Sequence, residues 1–469
     1  MNAVAAARRA RWGLLGLLVG ALLACRLPAV TWPRPVTGTP SPAPSSPALS
    51  PLPPETPATP SAARPTPVPT VAPPTPTPRP PATARPTPWP PPEDWPSPEP
   101  LPAGTLRLTT LRMVSPRQGW ALGTTDPARG LRVLVTDDGA RTWREVTPPG
   151  VPPAWDGQDV TALFWDARTA WVAFGYLADG PARMGVWVTH DRGATWAWAP
   201  IPWEDDTGTP FFSPGLFAAT DADHAWLWVH LEGGMGHDYG LLAATADGGR
   251  SWRVLANPYA EDAGDLMLAG TSGLAFAPDG LYGWATKQAN PLAAATVIIT
   301  RDGGRTWQAQ TFLPPGVDEA FCSTQNPHVW AAGQGALLTL CPHRTEPFGQ
   351  QVWVTRWEDD TPAEAVPVDA PPAWDASLAF PTPKQGFLAV YPDAAEGDPP
   401  YRTLLYASAD GGRTWSAVGE TFWRGTFSWL PDGQGWALAD NGREVRVVQT
   451  VDRGASWTLL PEPRLVSAP

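Results

Sequence analysis

Short apolar runs separated by polar turns follow one another along the chain from residue 104 onward. Runs such as residues 160–164, 273–277 and 297–300 are rich in apolar or β-branched side chains, which favour strands. No stretch of this region has the 3.6-residue apolar period of a helix. The pattern therefore predicts an all-β structure built from many short strands.

An eight-residue phrase ends many of these runs and occurs six times. The copies are TDDGARTW (136–143), THDRGATW (189–196), TADGGRSW (245–252), TRDGGRTW (300–307), SADGGRTW (408–415) and TVDRGASW (450–457). Their third residues are Asp138, Asp191, Asp247, Asp302, Asp410 and Asp452. Asp can accept backbone N–H groups across a tight turn, and Gly supplies left-handed backbone angles there. The phrase is therefore predicted to be structural, a turn followed by a Trp that packs between neighbouring units.

A second phrase centred on an aromatic residue recurs seven times, at Trp120, Trp171, Trp226, Trp284, Trp330, Phe387 and Trp436. The final tryptophans of the first four Asp phrases are 53, 56 and 55 residues apart, whereas 108 residues separate Trp307 from Trp415. A worn copy, VWVTRWEDDTPAEA (352–365), lies within that double interval. Regular repetition of units with room for four short strands is typical of propellers. We therefore predict a seven-bladed β-propeller of four-stranded blades over residues 104–469.

The repeats resemble Asp-box (BNR) repeats, which sialidases, sortilin-type receptors and some glycoside hydrolases share. The pairing of a Gly-Trp-Ala strand with a DGGRTW-like turn is most similar to the photosystem II stability and assembly factor family and its bacterial relatives. The resemblance covers nearly all of the repeat region and implies a seven-bladed propeller with Asp-box turns. It says little about function, because one architecture hosts unrelated activities.

The first eleven residues include three arginines, Arg8, Arg9 and Arg11, and an apolar stretch follows over residues 12–24. This stretch is too short to span a bilayer comfortably and is shaped like a secretory signal. Residues 22–25, Leu-Leu-Ala-Cys, resemble the bacterial lipobox. The resemblance implies a signal peptide over residues 1–24 and a lipid on Cys25 that anchors an exported protein to the outer face of the cytoplasmic membrane or to the outer membrane. A plain signal peptide or an uncleaved anchor is the alternative.

Residues 25–103 form a tract rich in Pro, Thr and Ser, with 30 of the 62 prolines between residues 27 and 102. Such a composition cannot build a core and predicts a disordered linker. The net charge of −12 argues against binding nucleic acid through overall charge. Cys322 and Cys341 remain as an even pair, which an oxidising compartment would allow to form a disulfide. No His and Cys cluster has the spacing of a metal site, so neither a metal nor another cofactor is expected.

The loops expected on the face opposite the Asp turns carry aromatic and acidic residues outside the repeat pattern. They are Trp155, Trp203, Glu204, Asp205, Asp206, Tyr259, Glu261, Asp262, Trp374 and Trp423. Aromatic anchors beside charged groups suit recognition of a protein or a sugar, and packing beneath proline-rich loops is an equal alternative. We therefore expect a monomeric, non-catalytic binding or assembly scaffold for a protein or glycan partner. A glycoside hydrolase that uses two carboxylates at the propeller mouth is the alternative.

Overall fold

The computed structural model describes residues 105–126, 130–149, 160–174, 185–202, 213–234, 237–257, 270–287, 294–317, 321–342, 349–392 and 401–466. All of them belong to one compact unit, Pro80–Pro469. They form strands and turns, and no helix among them is long and apolar enough to cross a membrane. The predicted signal peptide, Cys25 and almost all of the proline-rich tract lie outside the described residues.

The strands form six sheets, numbered here in chain order, and five of these are separate sheets built from four consecutive strands. Sheet 1 contains β1 (Arg107–Met113), β2 (Gly119–Thr124), β3 (Arg132–Thr136) and β4 (Thr142–Glu145), and sheet 2 contains β5 (Val160–Phe164), β6 (Ala170–Phe174), β7 (Gly185–Thr189) and β8 (Ala197–Pro200). Sheet 3 contains β9 (Ser213–Ala219), β10 (Ala225–Gly234), β11 (His237–Thr245) and β12 (Arg253–Ala256), and sheet 4 contains β13 (Thr271–Phe276), β14 (Gly283–Lys287), β15 (Ala295–Thr300) and β16 (Gln308–Phe312).

Sheet 5 has eight strands in two successive antiparallel groups. They are β17 (Ser323–Ala331), β18 (Gln334–Pro342), β19 (Gln350–Glu358), β20 (Thr361–Pro367), β21 (Ala373–Ala379), β22 (Gly386–Pro392), β23 (Thr403–Ser408) and β24 (Ser416–Thr421), and sheet 6 follows with β25 (Arg424–Trp429), β26 (Gly435–Asp440), β27 (Val445–Thr450) and β28 (Thr458–Leu459). A single residue pair, Gln350 with Ala373, joins β19 to β21. The prediction of a seven-bladed propeller is therefore wrong in its count, because only five of the described sheets are single blades, whereas four-stranded blades are confirmed.

The worn copy of the Asp phrase lies in sheet 5. It forms a plain hairpin between β19 and β20, with Asp359 and Asp360 at φ values of 50° and 62° in the turn. β19 is nine residues long, whereas β15 and β23 have six residues each, and its extra residues lie at its end, where the other copies have the Asp turn. At its start, the pairing of Gln350 with Ala373 of β21 places the two groups of strands in one hydrogen-bonded sheet.

Neighbouring sheets pack on one another, and the last sheet packs on the first. Trp226 of sheet 3 stacks on Phe276 of sheet 4, with ring centroids 3.8 Å apart. At the closure, Trp436 of sheet 6 shares a core cluster with residues of sheet 1, and the Met113 N–H donates to Ser428 Oγ at 2.8 Å. The first strands of neighbouring sheets contact one another, including β1 with β25. The sheets therefore form a closed β-propeller with the first strand of each sheet nearest the axis.

A short C-terminal strand, β29 (Arg464–Val466), adds a fifth strand to sheet 1. It runs parallel to β4, with Leu465 paired to Trp143. Sheet 6 also has its own outer strand, β28, so sheet 1 receives β29 in addition to four complete strands. Both ends of the described chain consequently lie in sheet 1.

The predicted disulfide between Cys322 and Cys341 is present. Cys322 immediately precedes β17 and Cys341 lies in β18, where Ser323 pairs with Leu340 in the register of the two strands. Both cysteines are buried in a cluster that includes Trp353. The disulfide thus links neighbouring strands at the start of sheet 5.

The six Asp phrases adopt one common turn. In the fourth copy, Asp302 Oδ1 accepts hydrogen bonds from Thr300 Oγ1 (2.9 Å) and from the Thr306 N–H (2.9 Å), and its Oδ2 accepts one from Thr306 Oγ1 (2.6 Å). The same three bonds recur at Asp138, Asp191, Asp247, Asp410 and Asp452. Each carboxylate therefore accepts its hydrogen bonds from residues of its own turn.

The backbone conformation of the turn explains why Gly recurs in the phrase. The two residues after each Asp have positive φ, a region that costs little only for Gly. Ala140, Arg192 and Arg453 adopt it without being Gly, with φ values of 73°, 65° and 63°. The hydrogen bonds of the turn therefore hold even non-glycine residues in this conformation.

Replacing Asp302 by Ala should lower the free energy of unfolding by about 1–3 kcal/mol, because the turn loses four hydrogen bonds to a charged acceptor. Urea unfolding monitored by circular dichroism measures this. Asp369→Ala is a suitable control, because Asp369 is exposed and should change stability by less than about 0.5 kcal/mol. Equal stability of both variants would contradict a structural role for the Asp turn.

Candidate functional site

The turns at the ends of the strands divide the propeller into two faces. The Gly139 N–H donates to Arg117 O at 2.9 Å, and the Gly303 N–H donates to Leu281 O at 2.9 Å. Bonds of this kind join five of the six Asp turns to the turn before the second strand of the same sheet, so both kinds of turn share one face, as the sequence predicts. The connections between sheets reach the opposite face, which we call the mouth.

Most of the residues predicted for the mouth cannot be placed. Eight of them lie outside the described residues: Trp155, Trp203, Glu204, Asp205, Asp206, Tyr259, Glu261 and Asp262. Trp374 and Trp423 are described, and their surroundings differ sharply.

Trp423 is a core residue, and its assignment to the binding face is wrong. Only 2% of its surface is exposed. Its ring lies edge-on to Trp457, with centroids 5.4 Å apart, and its carbonyl accepts a hydrogen bond from Thr403 Oγ1 at 2.7 Å. The short connection from β24 to β25 leaves this large side chain no route to the surface, so it packs inward.

Trp374 is exposed at the start of β21, with 44% of its surface accessible. The guanidinium carbon of Arg424 lies over its ring, 4.4 Å from the centroid. The ring of Tyr391 lies 6.2 Å from that of Trp374, and the Tyr391 hydroxyl donates to Gly425 O at 2.9 Å. Both Trp374 and Arg424 begin inner strands, so the group lies at the mouth close to the axis.

Tyr401 forms the other side of the Arg424 site. The Arg424 guanidinium carbon is 5.6 Å from the centroid of the Tyr401 ring. Tyr401 packs against Gly442, where a Cβ atom would overlap its ring and hydroxyl. Gly442 has a φ of 81°, so this position suits Gly for both reasons. Trp374, Tyr391, Tyr401 and Arg424 together form what we call the mouth patch.

The two arginines at this site have different charge environments. Arg402 Nε forms an ion pair with Glu420 Oε1 at 2.7 Å. Arg424 forms no ion pair with a described residue, and its buried Nε has no hydrogen-bond acceptor. Its positive charge therefore lies against the π electrons of two rings and forms no ion pair with a described carboxylate.

The nearby Asp375 is held by neighbouring strands. Its Oδ1 accepts hydrogen bonds from Gln325 Nε2 at 3.1 Å and from the Ala376 N–H at 2.8 Å. Burial, followed by the charge of Asp375, raises the pKa of Tyr391 above its usual value, so its hydroxyl stays a proton donor at neutral pH. The site thus combines a fixed hydroxyl, an unpaired guanidinium and an exposed indole.

Sequence reasoning found one member of the mouth patch and missed three. Tyr391 and Arg424 lie at the edges of loops predicted for this face, and Tyr401 lies within one. Arg424 was missed because only aromatic and acidic residues were selected. Nothing in the local sequence shows that Arg424 stands between two aromatic rings that come from different strands.

A second polar group faces the axis on the inner strands. Part of the Arg112 side chain of β1 contacts solvent. Protein groups nevertheless surround its guanidinium, and this desolvation lowers the pKa of Arg112 from its usual value. His328 of β17 lies edge-on to Phe380 (5.4 Å), with its Nε2 3.4 Å from Leu378 O. Burial and the charge of Arg112 lower the pKa of His328 to about 4.

In the described part of the chain, no group of three or more His, Cys, Asp or Glu residues could hold a metal ion.

Comparisons with known proteins find similar solved structures of low sequence identity. No family model and no curated protein matches it. A solved structure of YCF48 bound to D1 peptide is 18% identical, covers 76% of this chain and 96% of its own, and has a TM-score of 0.44.

Other similar structures are enzymes by their descriptions. Prolyl oligopeptidase B from Galerina marginata is 11% identical, covering 77% of this chain and 51% of its own length, with a TM-score of 0.47. The GH74 xyloglucanase from Xanthomonas campestris is 14% identical, covering 74% of this chain and 58% of its own, with a TM-score of 0.30. At these identities and scores, the similarities carry no argument about function.

The low pKa of His328 makes stability depend on pH. Between about pH 4 and 6.5 the unfolded chain binds more protons at this residue than the folded chain, so stability falls as the pH is lowered through this window. His328→Gln should flatten the slope by up to about 1.4 kcal/mol per pH unit. Urea unfolding from pH 4.5 to 7.5 measures it, and parallel curves for the two proteins would contradict the assignment.

Proposed function

We propose that the chain is a non-catalytic binding scaffold whose mouth patch holds a protein or glycan partner. The observation that carries this proposal is the exposed Trp374 with Arg424 stacked on it and no carboxylate paired to that arginine. Binding interfaces are enriched in Trp, Tyr and Arg anchors of this kind. The Asp turns offer no comparable group, because their carboxylates are occupied by their own turns.

The same proposal places the protein outside the cytoplasm. A lipid on Cys25 would anchor it to a membrane, and the proline-rich tract would separate the propeller from that membrane. The disulfide between Cys322 and Cys341 supports export, because disulfides persist in oxidising compartments. The repeats support kinship with Asp-box propellers of the assembly-factor type, and we propose that kinship on the residues alone.

A test of the binding role compares two exposed tryptophans on opposite faces. Photo-crosslinking of the full chain to native membranes should capture a partner that Trp374→Ala loses and Trp165→Ala retains. Trp165 is a suitable control because it is also exposed, and it lies in a turn on the Asp-turn face. Equal capture by both variants would contradict a binding role for the mouth patch.

The catalytic alternative has its own test. The full chain should not turn over aryl glycosides or sialosides. Turnover that disappears in Asp375→Asn, with folding retained, would show that the mouth is a glycosidase site instead.

Lipid anchoring is tested by Cys25→Ala. The variant should move from the membrane fraction to the soluble fraction and lose labelling by radioactive palmitate, because one acyl chain with its neighbours supplies the attachment. Unchanged membrane association without label would indicate an uncleaved anchor.

A further inference from the structure

We propose that Arg424 binds a carboxylate of an acidic protein segment, and that an apolar side chain next to this carboxylate packs against Trp374. This inference rests on the proposed binding role of the mouth patch and specifies its partner. It predicts that the partner presents Asp or Glu beside an aliphatic or aromatic residue.

The first step is the unmet hydrogen-bonding capacity of Arg424. Ion pairs with described carboxylates occupy seven other arginines: Arg132, Arg192, Arg301, Arg356, Arg402, Arg413 and Arg446. Arg424 has no such partner. Its Nε is buried, so its Nη atoms, which donate to no described residue, are the donors that a ligand carboxylate would reach.

The second step is the fixed orientation of the guanidinium. Trp374 and Tyr401 lie 4.4 Å and 5.6 Å from the guanidinium carbon. Tyr401 is itself held against Gly442, and Tyr391 is held by its bond to Gly425 O. A planar guanidinium fixed between rings loses little conformational entropy when it binds, and its fork of donors matches a carboxylate.

The third step is the local excess of positive charge. Arg107 begins β1 as Arg424 begins β25, these two strands contact each other, and Arg107 also lacks an ion pair with a described residue. The mouth ends of the inner strands of sheets 1 and 6 therefore carry two arginines that no described carboxylate neutralises. In an otherwise acidic chain, this charge attracts anions to the mouth.

The fourth step favours a protein segment over a sugar. A sugar ring stacks on an uncovered aromatic face, and because Arg424 covers one face of Trp374 and Tyr391 lies beside the same ring, at most one face of this indole is left for a sugar. What remains accessible suits the contact of an apolar side chain. The carboxylate and apolar group are then both supplied by neighbouring residues of one peptide.

The test is selection of a random heptapeptide phage library against the full chain in detergent, followed by fluorescence anisotropy of the enriched peptides. Enriched peptides should carry Asp or Glu beside an apolar residue, and amidation of that acid should weaken binding about tenfold or more. Binding should also weaken as NaCl is raised.

Variants of the chain localise the effect. Arg424→Gln should weaken peptide binding about tenfold or more, and Arg424→Lys should weaken it less, because the charge remains without the fork. Arg402→Gln is the matched control, since Glu420 already neutralises this neighbouring arginine, and binding should stay within about twofold. Circular dichroism and thermal unfolding confirm that each variant folds.

The contrary outcomes are distinct. Peptides without acids, no enrichment, or equal binding by Arg424→Gln would overturn the carboxylate assignment. If such peptides still lose binding in Trp374→Ala, the proposed binding role stands and only this inference fails. Binding of uronate oligosaccharides that depends on Arg424 would assign the site to a glycan instead.

Discussion

Aromatic stacking between successive sheets is the interaction on which the propeller depends. At three junctions among the described sheets, the second strand of one sheet presents an aromatic ring that lies flat on the aromatic residue ending the first strand of the next sheet. Trp120 stacks on Phe164 with the ring planes 6° apart, and Phe387 stacks on Trp429 at 5°. The indole N–H of Trp120 also donates to Asp166 O at 2.7 Å. Each stack therefore sets both the spacing and the orientation of neighbouring sheets.

This constraint gives the two faces different roles. On the Asp-turn face, hydrogen bonds tie each turn to its neighbour within the sheet, and ion pairs such as Arg192 with Asp137 connect adjacent sheets. The polar groups of these turns therefore already have partners within the fold. The mouth contains connections that carry no repeat, so a side chain such as Arg424 can remain without a partner in the fold. That difference is why we look for binding at the mouth.

Much of the fold could be predicted from the sequence, because repeated residues occupy repeated environments. The Asp turns, the short strands, the shared face of the turns and the disulfide all follow from local patterns. The count of separate sheets did not, because it depends on a single pairing between two units, Gln350 with Ala373. Trp330 also departs from the pattern, since it lies in a first strand, β17, where the other aromatic phrases occupy second strands.

The candidate site was less predictable, because it depends on contacts between distant residues. Trp374 and Trp423 look alike in sequence, yet one is exposed and the other is enclosed by Trp457. Composition could not reveal that the arginine at the start of β25 stands between two rings. Unpaired charge is a property of the folded chain alone.

The meeting of both described ends in sheet 1 has a consequence for biogenesis. Met113 at the end of β1 bonds to Ser428 of sheet 6, which lies 315 positions later in the chain. This contact cannot form until sheet 6 has been synthesised. During synthesis, the side of sheet 1 that sheet 6 will cover remains apolar and open, and contacts this distant in sequence form slowly. A chain synthesised from the N-terminus therefore stays vulnerable to aggregation and proteolysis until its last strands are made. Such a protein needs protection through most of its synthesis.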